Sequence, residues 1–457
     1  ATSKRGAGVL VPNLTDEQWF TRLTKRREDE ARIIKSWWEY YDGDQPMYYV
    51  AKILEEQEDR FPALNINWSA VVVDGIDDRS TVEGFVLNSS DESDDDLFAT
   101  WQANDLEEYS SENHVASLVT GVSYMMAGPG DGNWPLNTVE SPSSVTVEVD
   151  PRTRQVVAGL KVWKSDADKS LDDMAVMYLP GSKGLRLIEF EHGKPVGETT
   201  EQWMKSVEKL QTTPTVPIVP FLNQQRQRVG RSELRKMRPI VDALNQTATN
   251  MMAGVEHHAL PRKYALNVSE DSFLDEDGKP LPAWKIATGL VWAQPIDPDH
   301  PDIKAEVGQF AASDMRNFIE VCGLLSRFAV GLYGMPPHML GFNVGDNPAA
   351  ADGVRASEDA WVRRIERRHA SWGQAYGRLN RMNLAILGRD PSDGDRLETR
   401  WRNPSTPTQG AIMDAAVKAY QSGMSDLRQA RIDARYSLPT IKAMEDRESR
   451  AGRVDPT

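Results

Sequence analysis

The stretch from Gly308 to Leu387 limits the possible folds most, because it joins an over-apolar helix, a loop rich in breakers and a very long helix. From Val354 onward, Trp361, Ile365, Trp372, Tyr376, Leu379 and Ile386 recur at helical intervals, and His369 fills the gap in the stripe. Arg363, Arg364, Arg367, Arg368, Arg378 and Arg381 populate the other faces. The pattern predicts one amphipathic helix carried over many turns, roughly 50 Å long at about 1.5 Å per residue. Upstream, 310–330 reads as a second helix. Its last half (Phe318, Ile319, Val321, Cys322, Leu324, Leu325 and Phe328) is apolar on nearly every side. Such a helix has to be covered, by its own chain or by another. Between the two, Tyr333 to Pro348 holds Gly334, the Pro336–Pro337 pair, Gly341, Gly345 and Asn347 before Pro348, which predict a break in helical structure. Loops of that length inside a compact chain are usually functional or mobile.

Composition narrows the function. A length of 457 residues corresponds to about three domains. The formal net charge of −15 argues against a protein that grips nucleic acid over a broad basic surface, though not against one that lets nucleic acid pass. Cys322 is the only cysteine, which excludes an intrachain disulfide and a thiolate metal cluster and makes it a small core residue. No run is apolar for long enough to cross a bilayer, and the first residues lack a signal-peptide pattern, so a soluble intracellular assembly without membrane contact is expected.

The chemical motifs of common enzymes do not occur. Gly128 to Gly132 lacks the lysine and the following helix of a phosphate loop and reads as a turn. His257 and His258 are adjacent and so face different sides of a helix. No zinc-protease or nucleophile-elbow motif is present, and no carboxylates pair convincingly. The acidic run Asp91 to Asp96 lacks EF-hand spacing and reads as a solvated loop or a helix start. The expectation is a protein that is not an enzyme and holds no cofactor.

In chain order, the first dozen residues read as a loose arm. Thr15 to Gln18 is a capping box that opens a helix through Trp19, Leu23, Ile33, Ile34, Trp37 and Trp38, stopped by Gly43 and Pro46. A charged helix is expected over 47–60, and an apolar run from Val71 turns charged by Arg79. Val82 to Phe85 reads as a strand, the helix holding Val115 and Leu118 ends at Gly121, and 122–126 reads as a strand. From Thr138 to Phe221 the alternation predicts a mainly antiparallel β unit, with strands at 145–149, 156–163, 175–179 and 185–190. Its last segment, 216–223, contains prolines that suit an edge. Ser232 is the expected N-cap of the next helix, with Pro239 kinking it or delaying its start; Leu234, Met237, Val241, Leu244, Ala248, Met251 and Val255 step by three and four. This helix and 310–330 flank a module, 261–307, with expected strands at 262–268 and 284–292 joined by an acidic turn. The layout is that of a hairpin projecting from a body. A linker over 400–407 and helices from Gln409 complete the chain.

Several short motifs, in this order, resemble those of one family. They are Tyr40-Tyr-x-Gly-x-x-Pro46, Asn67-Trp-x-x-Val-Val-Val-Asp74, Val82-Glu-Gly-Phe85 and Trp101-Gln-x-Asn-Asp-Leu106. Val216-Pro-x-Val-Pro-Phe-x-Asn223 and Gly230-x-Ser-Glu-Leu followed by Pro239 and Asp242-Ala-Leu-Asn245 continue the match, as do Asp346-Asn-Pro348 with Asp352 and Glu358, and Trp401 to Pro407. The chain resembles the portal (head–tail connector) proteins of tailed bacteriophages of the siphovirus type. Similar proteins often carry serine near Ala350 and alanine near Gly353.

The resemblance implies a mainly helical α+β fold. Its regions would be a wing (1–230 and 354–403), stem helices (231–258 and 310–331), a clip (259–309), a tunnel loop (332–353) and a crown (404–457). It implies a homo-oligomeric ring, normally of twelve subunits, at one capsid vertex of the virion, assembled in the host cytoplasm, with a channel for double-stranded DNA. Implied partners are the terminase large subunit, a head-completion adaptor, and the major capsid and scaffold proteins. His338, Met339, Asn343, Asp346 and Asn347 would face DNA from the tunnel loop, although Met335, Met339, Leu340 and Phe342 also allow a buried connector. Glu270, Asp271, Asp275, Glu276 and Asp277 would meet the motor or adaptor at the clip. Leu234, Met237, Val241, Leu244, Met251, Phe318, Val321 and Leu325 are the expected stem contacts between subunits. Another structural or morphogenesis protein of the virion, and a nucleotide-dependent enzyme, are the competing readings.

Overall fold

Thr15 sets the start of the first helix. Its hydroxyl accepts from the Gln18 N–H, and Gln18 Oε1 accepts from the Thr15 N–H, the reciprocal cap expected from the sequence. The computed structural model describes residues 14–46, 64–87, 93–153, 155–164, 174–204, 216–224, 229–259, 263–266, 306–309, 316–341, 351–405, 409–434, 436 and 438–451. The expected helix at 47–60, the strand at 284–292 and the acidic turn at 270–277 lie outside these residues.

Helix α1 (Asp16–Asp42) ends where Gly43 adopts φ 84°, a left-handed cap that favours glycine. Helix α2 (Trp68–Asp77) follows, capped by Asn67 Oδ1, which accepts from the Ala70 N–H at 3.1 Å. Next come β1 (Val82–Val86), α3 (Asp95–Ala103) and α4 (Leu106–Thr120). The acidic run is a helix start: Asp94 caps α3 through the Leu97 N–H, and Arg389 pairs with Asp94 and Asp96.

The sheets are antiparallel and mostly local. Strands β2 (Val122–Gly128) and β3 (Leu136–Glu140) join β9 (Ile218–Leu222) in the order β3-β2-β9. The proline-bearing strand is therefore at an edge, as expected. Strands β4 (Val145–Val149), β5 (Val156–Trp163), β6 (Met174–Gly181), β7 (Gly184–Glu191) and β8 (Lys194–Glu201) form a meander in sequence order. Strand β8 has no alternating apolar pattern and escapes sequence reading; pairing with β7 defines it. The start of α1 lies on this meander, with Trp19 and Leu23 buried against Leu160, Met177 and Phe190.

Ser232 caps a short 3-10 turn, Glu233–Arg235, and helix α5 (Arg238–Ala259) begins after it. Pro239 thus delays the helix and sits in its first turn, where a missing N–H costs nothing. Strand β10 (Lys263–Leu266) pairs with β11 (Glu306–Gln309), so the described partner of the first module strand is this later segment. Helix α6 (Arg316–Tyr333) runs further than expected, and a 3-10 turn, Pro337–Leu340, forms inside the breaker-rich loop. Helix α7 (Ala351–Ile386) is continuous over 36 residues and starts three residues before Val354. Strand β12 (Glu398–Trp401) returns to pair with β1. Helices α8 (Gln409–Gln421), α9 (Leu427–Asp433) and α10 (Leu438–Ala451) end the chain.

Helix α7 is the spine of the main core. It lies against β2, β9, β12 and α3, and Trp361, Ile365, Trp372, Tyr376 and Leu379 are all buried. Full burial of side chains of this size stabilises by about 1.5–3 kcal/mol each. Two histidines fit among these aromatics as flat plates: His114 stacks on Trp372 at 4.3 Å, and His369 stacks on Trp401 at 4.2 Å. His369 Nε2 also lies 3.1 Å from Ser80 Oγ. Burial, then the nearby His114, push its pKa down from 6.5 to about 4. The unfolded chain therefore binds a proton there that the folded chain does not. Its stability contribution is complete above about pH 6.5 and is lost as pH falls towards 4. Between pH 7 and pH 4 the wild type should lose about 3 kcal/mol more than a His369→Gln variant, read from urea unfolding of both at each pH. Parallel pH dependences would contradict a neutral buried His369.

Candidate subunit interface and channel loop

The hairpin leaves the body at one buried carboxylate. The Ser232 cap turns the chain so that Glu233 points inward, where its side chain is 0% exposed. It accepts from Arg368 Nη2 at 2.6 Å, Arg364 Nη1 at 3.2 Å, Gln224 Nε2 at 2.6 Å and Asn223 Nδ2 at 3.1 Å. The Tyr333 hydroxyl donates to the Glu233 carbonyl at 2.6 Å, and Arg364 Nη2 donates to the Leu332 carbonyl at 2.9 Å. One residue thus clamps the end of β9, the approach to α5, the end of α6 and the middle of α7. Burial alone would raise its pKa, but the Arg368 charge and the donated hydrogen bonds outweigh burial and hold it below the usual carboxylate value.

The chain can reach this point only through a close backbone crossing. Gly121 takes φ 96°, and a Cβ on Gly230 would lie 1.8 Å from the Gly121 carbonyl oxygen, which accepts from the Asn223 N–H. Glycine at both positions lets Asn223 and Gln224 sit where their side chains meet Glu233, with the Arg231 N–H donating to the Asn223 carbonyl.

From the clamp outward, α5 and α6 pack on each other. The inner side of α5 is stitched to the body: the Tyr40 hydroxyl donates to Asp242 Oδ1 at 2.7 Å, the Ile66 N–H to Asn245 Oδ1 at 2.7 Å and the Leu64 N–H to Thr249 Oγ1 at 3.1 Å. Leu234, Met237, Val241 and Leu244 belong to the chain's own core and are fully buried. They offer no surface to a second copy, which corrects their expected role as stem contacts. Their stripe faces α1 and α2, which the sequence pattern could not distinguish from a neighbouring chain.

The surface offered outward is carried by other side chains. On α6, Cys322, Ser326, Ala329 and Tyr333 face inward. Ile319 (60% exposed), Val321, Leu324, Phe328 (53% exposed) and Leu332 face out. Met252 and Val255 on the outer half of α5 are also exposed. Of the expected contacts, Val321 lies on this exposed face, while Met251, Phe318 and Leu325 are half-buried. Leu324 and Phe328 were legible as apolar, but only the packing of α6 shows that their side is uncovered.

The channel loop is part connector. Helix α6 ends at Tyr333, so the loop begins at Gly334, which takes φ 63° beneath Ala360. Met335 and Leu340 are buried in the main core, and Met339 packs against it and touches Gly75. His338 is exposed. The first half of the loop is therefore an anchored turn, and Asn343, Asp346 and Asn347 lie outside the described residues, as do Glu270, Asp271, Asp275, Glu276 and Asp277. Among the described residues, no group of three His, Cys, Asp or Glu is placed to hold a metal, and no helix is long and apolar enough to cross a membrane.

Breaking a buried ion pair from one side leaves the other charge uncompensated, at a cost of about 3–5 kcal/mol. Glu233→Gln keeps the side-chain shape but removes the charge facing Arg364 and Arg368. The variant should lose stability of that order in chemical unfolding. A loss below about 1 kcal/mol would show that the cluster is not what holds the four elements together.

The sequence profile of the family described as "Phage portal protein, SPP1 Gp6-like" matches residues 21–431. The portal protein of Mycobacterium phage D29 is 29% identical over 432 residues, and that of Mycobacterium phage L5 is 28% identical over 432 residues; each match spans 91% of this chain and 85% of the relative. Among solved structures, a chain from the neck of an empty GTA particle superposes with a TM-score of 0.46 at 12% identity, covering 86% of this chain and 96% of that one. A chain from the neck of a native GTA particle gives 0.44 at 12% identity, covering 85% and 95%. The profile match runs from α1 to α9 and takes in the Glu233 clamp and both hairpin helices, and the chain therefore belongs to the SPP1 Gp6-like family of phage portal proteins, structural components of the virion.

Proposed function

We propose that copies of this chain close into a ring through the exposed apolar face of α5 and α6, forming the channel for double-stranded DNA at one vertex of the capsid. The observation that carries this reading is the uncovered stripe Val321, Leu324, Phe328 and Leu332 on a helix of 18 residues. Contiguous exposed apolar surface of this kind marks an interaction site. A head-to-tail contact whose rotation closes gives a ring. The net charge of −15 fits a conduit that makes few salt-releasing contacts with passing DNA.

On this reading the regions keep the roles that the family resemblance implies. Residues 1–230 and 354–403 form the wing, 231–258 and 310–331 the stem, 259–309 the clip and 404–457 the crown. The tunnel loop starts at Gly334, and His338 is its one exposed side chain among the described residues of the turn 334–340. The clip, with its acidic turn at 270–277, receives the terminase large subunit during packaging and the head-completion adaptor afterwards, while the wing meets capsid and scaffold proteins.

Replacing Leu324 and Phe328 together with glutamate places two charges in the centre of the stripe, where desolvating them opposes assembly. Wild-type protein should give rings in electron micrographs and a matching mass in light scattering. The double variant should run as monomer with unchanged circular dichroism. Wild type that stays monomeric at high concentration across salt conditions would overturn the ring, and rings from the double variant would overturn this face as the contact.

A further inference from the structure

Helix α2 carries a glycine in its second half, with no left-handed turn there to explain it. Gly75 is buried beside Val72, Val73 and Ile76. Only proline is less favourable than glycine inside a helix. What the glycine supplies is space. A Cβ at Gly75 would lie 2.5 Å from Met339 Cε and 3.5 Å from Trp361 Cζ2. The missing side chain leaves a socket on α2, walled by Trp361 of α7, and the tip of Met339 fills it.

The position of Met339 gives the socket its importance. Met339 belongs to the 3-10 turn Pro337–Leu340 at the start of the channel loop, next to the exposed His338, and Gly341 closes the turn with φ 73°. Met335 and Leu340 sink this stretch into the core, and Met339 ties it to α2. Helix α2 is itself held on several sides. The Tyr41 hydroxyl donates to Asp74 Oδ1 at 2.8 Å. Just past the helix end, Arg79 Nη2 pairs with Glu358 Oε1 of α7 at 3.3 Å, and both side chains are largely buried. Met339 precedes the span 342–350 and Glu358 follows it, so α2 grips the chain on both sides of the loop.

We propose that Gly75 is a positioning residue for the channel loop, acting through Met339. By admitting the methionine it sets how closely the turn sits on α2, and with it where His338 and the loop stand in the channel. The inference rests on the reading above, in which this loop meets DNA. It gives Met339 a task inside its own chain in place of the DNA-facing one that its sequence position suggests. Methionine suits such a seat because its unbranched side chain can be displaced without breaking the core around it. The loop can therefore shift while the fold persists.

Gly75→Ala fills the socket. Methionine oxidation, followed by mass spectrometry, reads the seat without DNA: Met339 of this variant should oxidise about threefold faster than in the wild type, with Met335 unchanged as the internal standard. In phage carrying the substitution, rings should form normally while DNA-filled heads fall about tenfold. Met339→Ala, which empties the seat from the loop side and leaves α2 untouched, should give the same loss. Gly75→Ala combined with Met339→Leu, where the added methyl takes the place of the lost Cε, should restore filling to within about twofold of the wild type. A defect confined to α2 would not respond to a change at 339. Unchanged Met339 oxidation in Gly75→Ala would overturn the seat. Faster oxidation with normal DNA filling would overturn the positioning role and leave the channel reading intact, as would a double variant no better filled than Gly75→Ala. Wild type that forms no ring would overturn the channel reading, and this proposal with it.

Discussion

A carboxylate with no solvent contact, Glu233, is the interaction on which the arrangement of this chain depends. Taking a charge out of water costs several kcal/mol, and the cost is offset only where partners and hydrogen bonds are arranged around it. Here two guanidinium groups from α7, two side-chain amides after β9 and a tyrosine from the end of α6 converge on one residue. Moving α7 or the residues after β9 takes partners from a buried charge, and moving the end of α6 breaks the hydrogen bond from the Tyr333 hydroxyl to the Glu233 carbonyl. That directional requirement fixes the angle at which α5 and α6 leave the body more tightly than apolar packing alone would.

The two hairpin helices then change character along their length. Near the clamp, α5 is inside the protein, held by Asp242, Asn245 and Thr249 to α1 and the segment before α2. Beyond it, Met252 and Val255 are exposed, and so is the outer face of α6. A helix with an inner face of Cys322, Ser326, Ala329 and Tyr333 and an outer face of large aliphatics has two apolar sides and one chain to cover them. On the ring reading, another copy covers the outer side.

Local signals were legible in the sequence, and non-local ones were not. The Thr15 capping box, the Gly43 stop, the stripe of α7 and four of the five meander strands depend on residues close together in the chain, and each can be read from spacing. Val71, Val72 and Val73 read only as the start of an apolar run; they lie in α2, where the Asn67 cap and burial of Val72 and Val73 outweigh the weak helix preference of β-branched residues. Strand β8 exists through its ladder to β7 and carries no pattern of its own. Sequence showed Leu234 to Leu244 and Phe318 to Phe328 equally as apolar stripes. Only the position of α1 and α2 reveals that the first is covered by its own chain and the second is not. Glu233 lay within a recognisable motif, yet its partners come from 9 to 135 residues away.

The central claim is that the outer face of α6 is buried between copies. Hydroxyl-radical footprinting of the unmodified protein reads this directly, because it reports side-chain access residue by residue. Phe328, Leu324 and Leu332 should oxidise readily in monomer and become protected in assembled protein, while Met335 and Leu340, already covered by their own chain, stay protected in both. Equal oxidation of Phe328 and Leu324 in the two states would contradict the account.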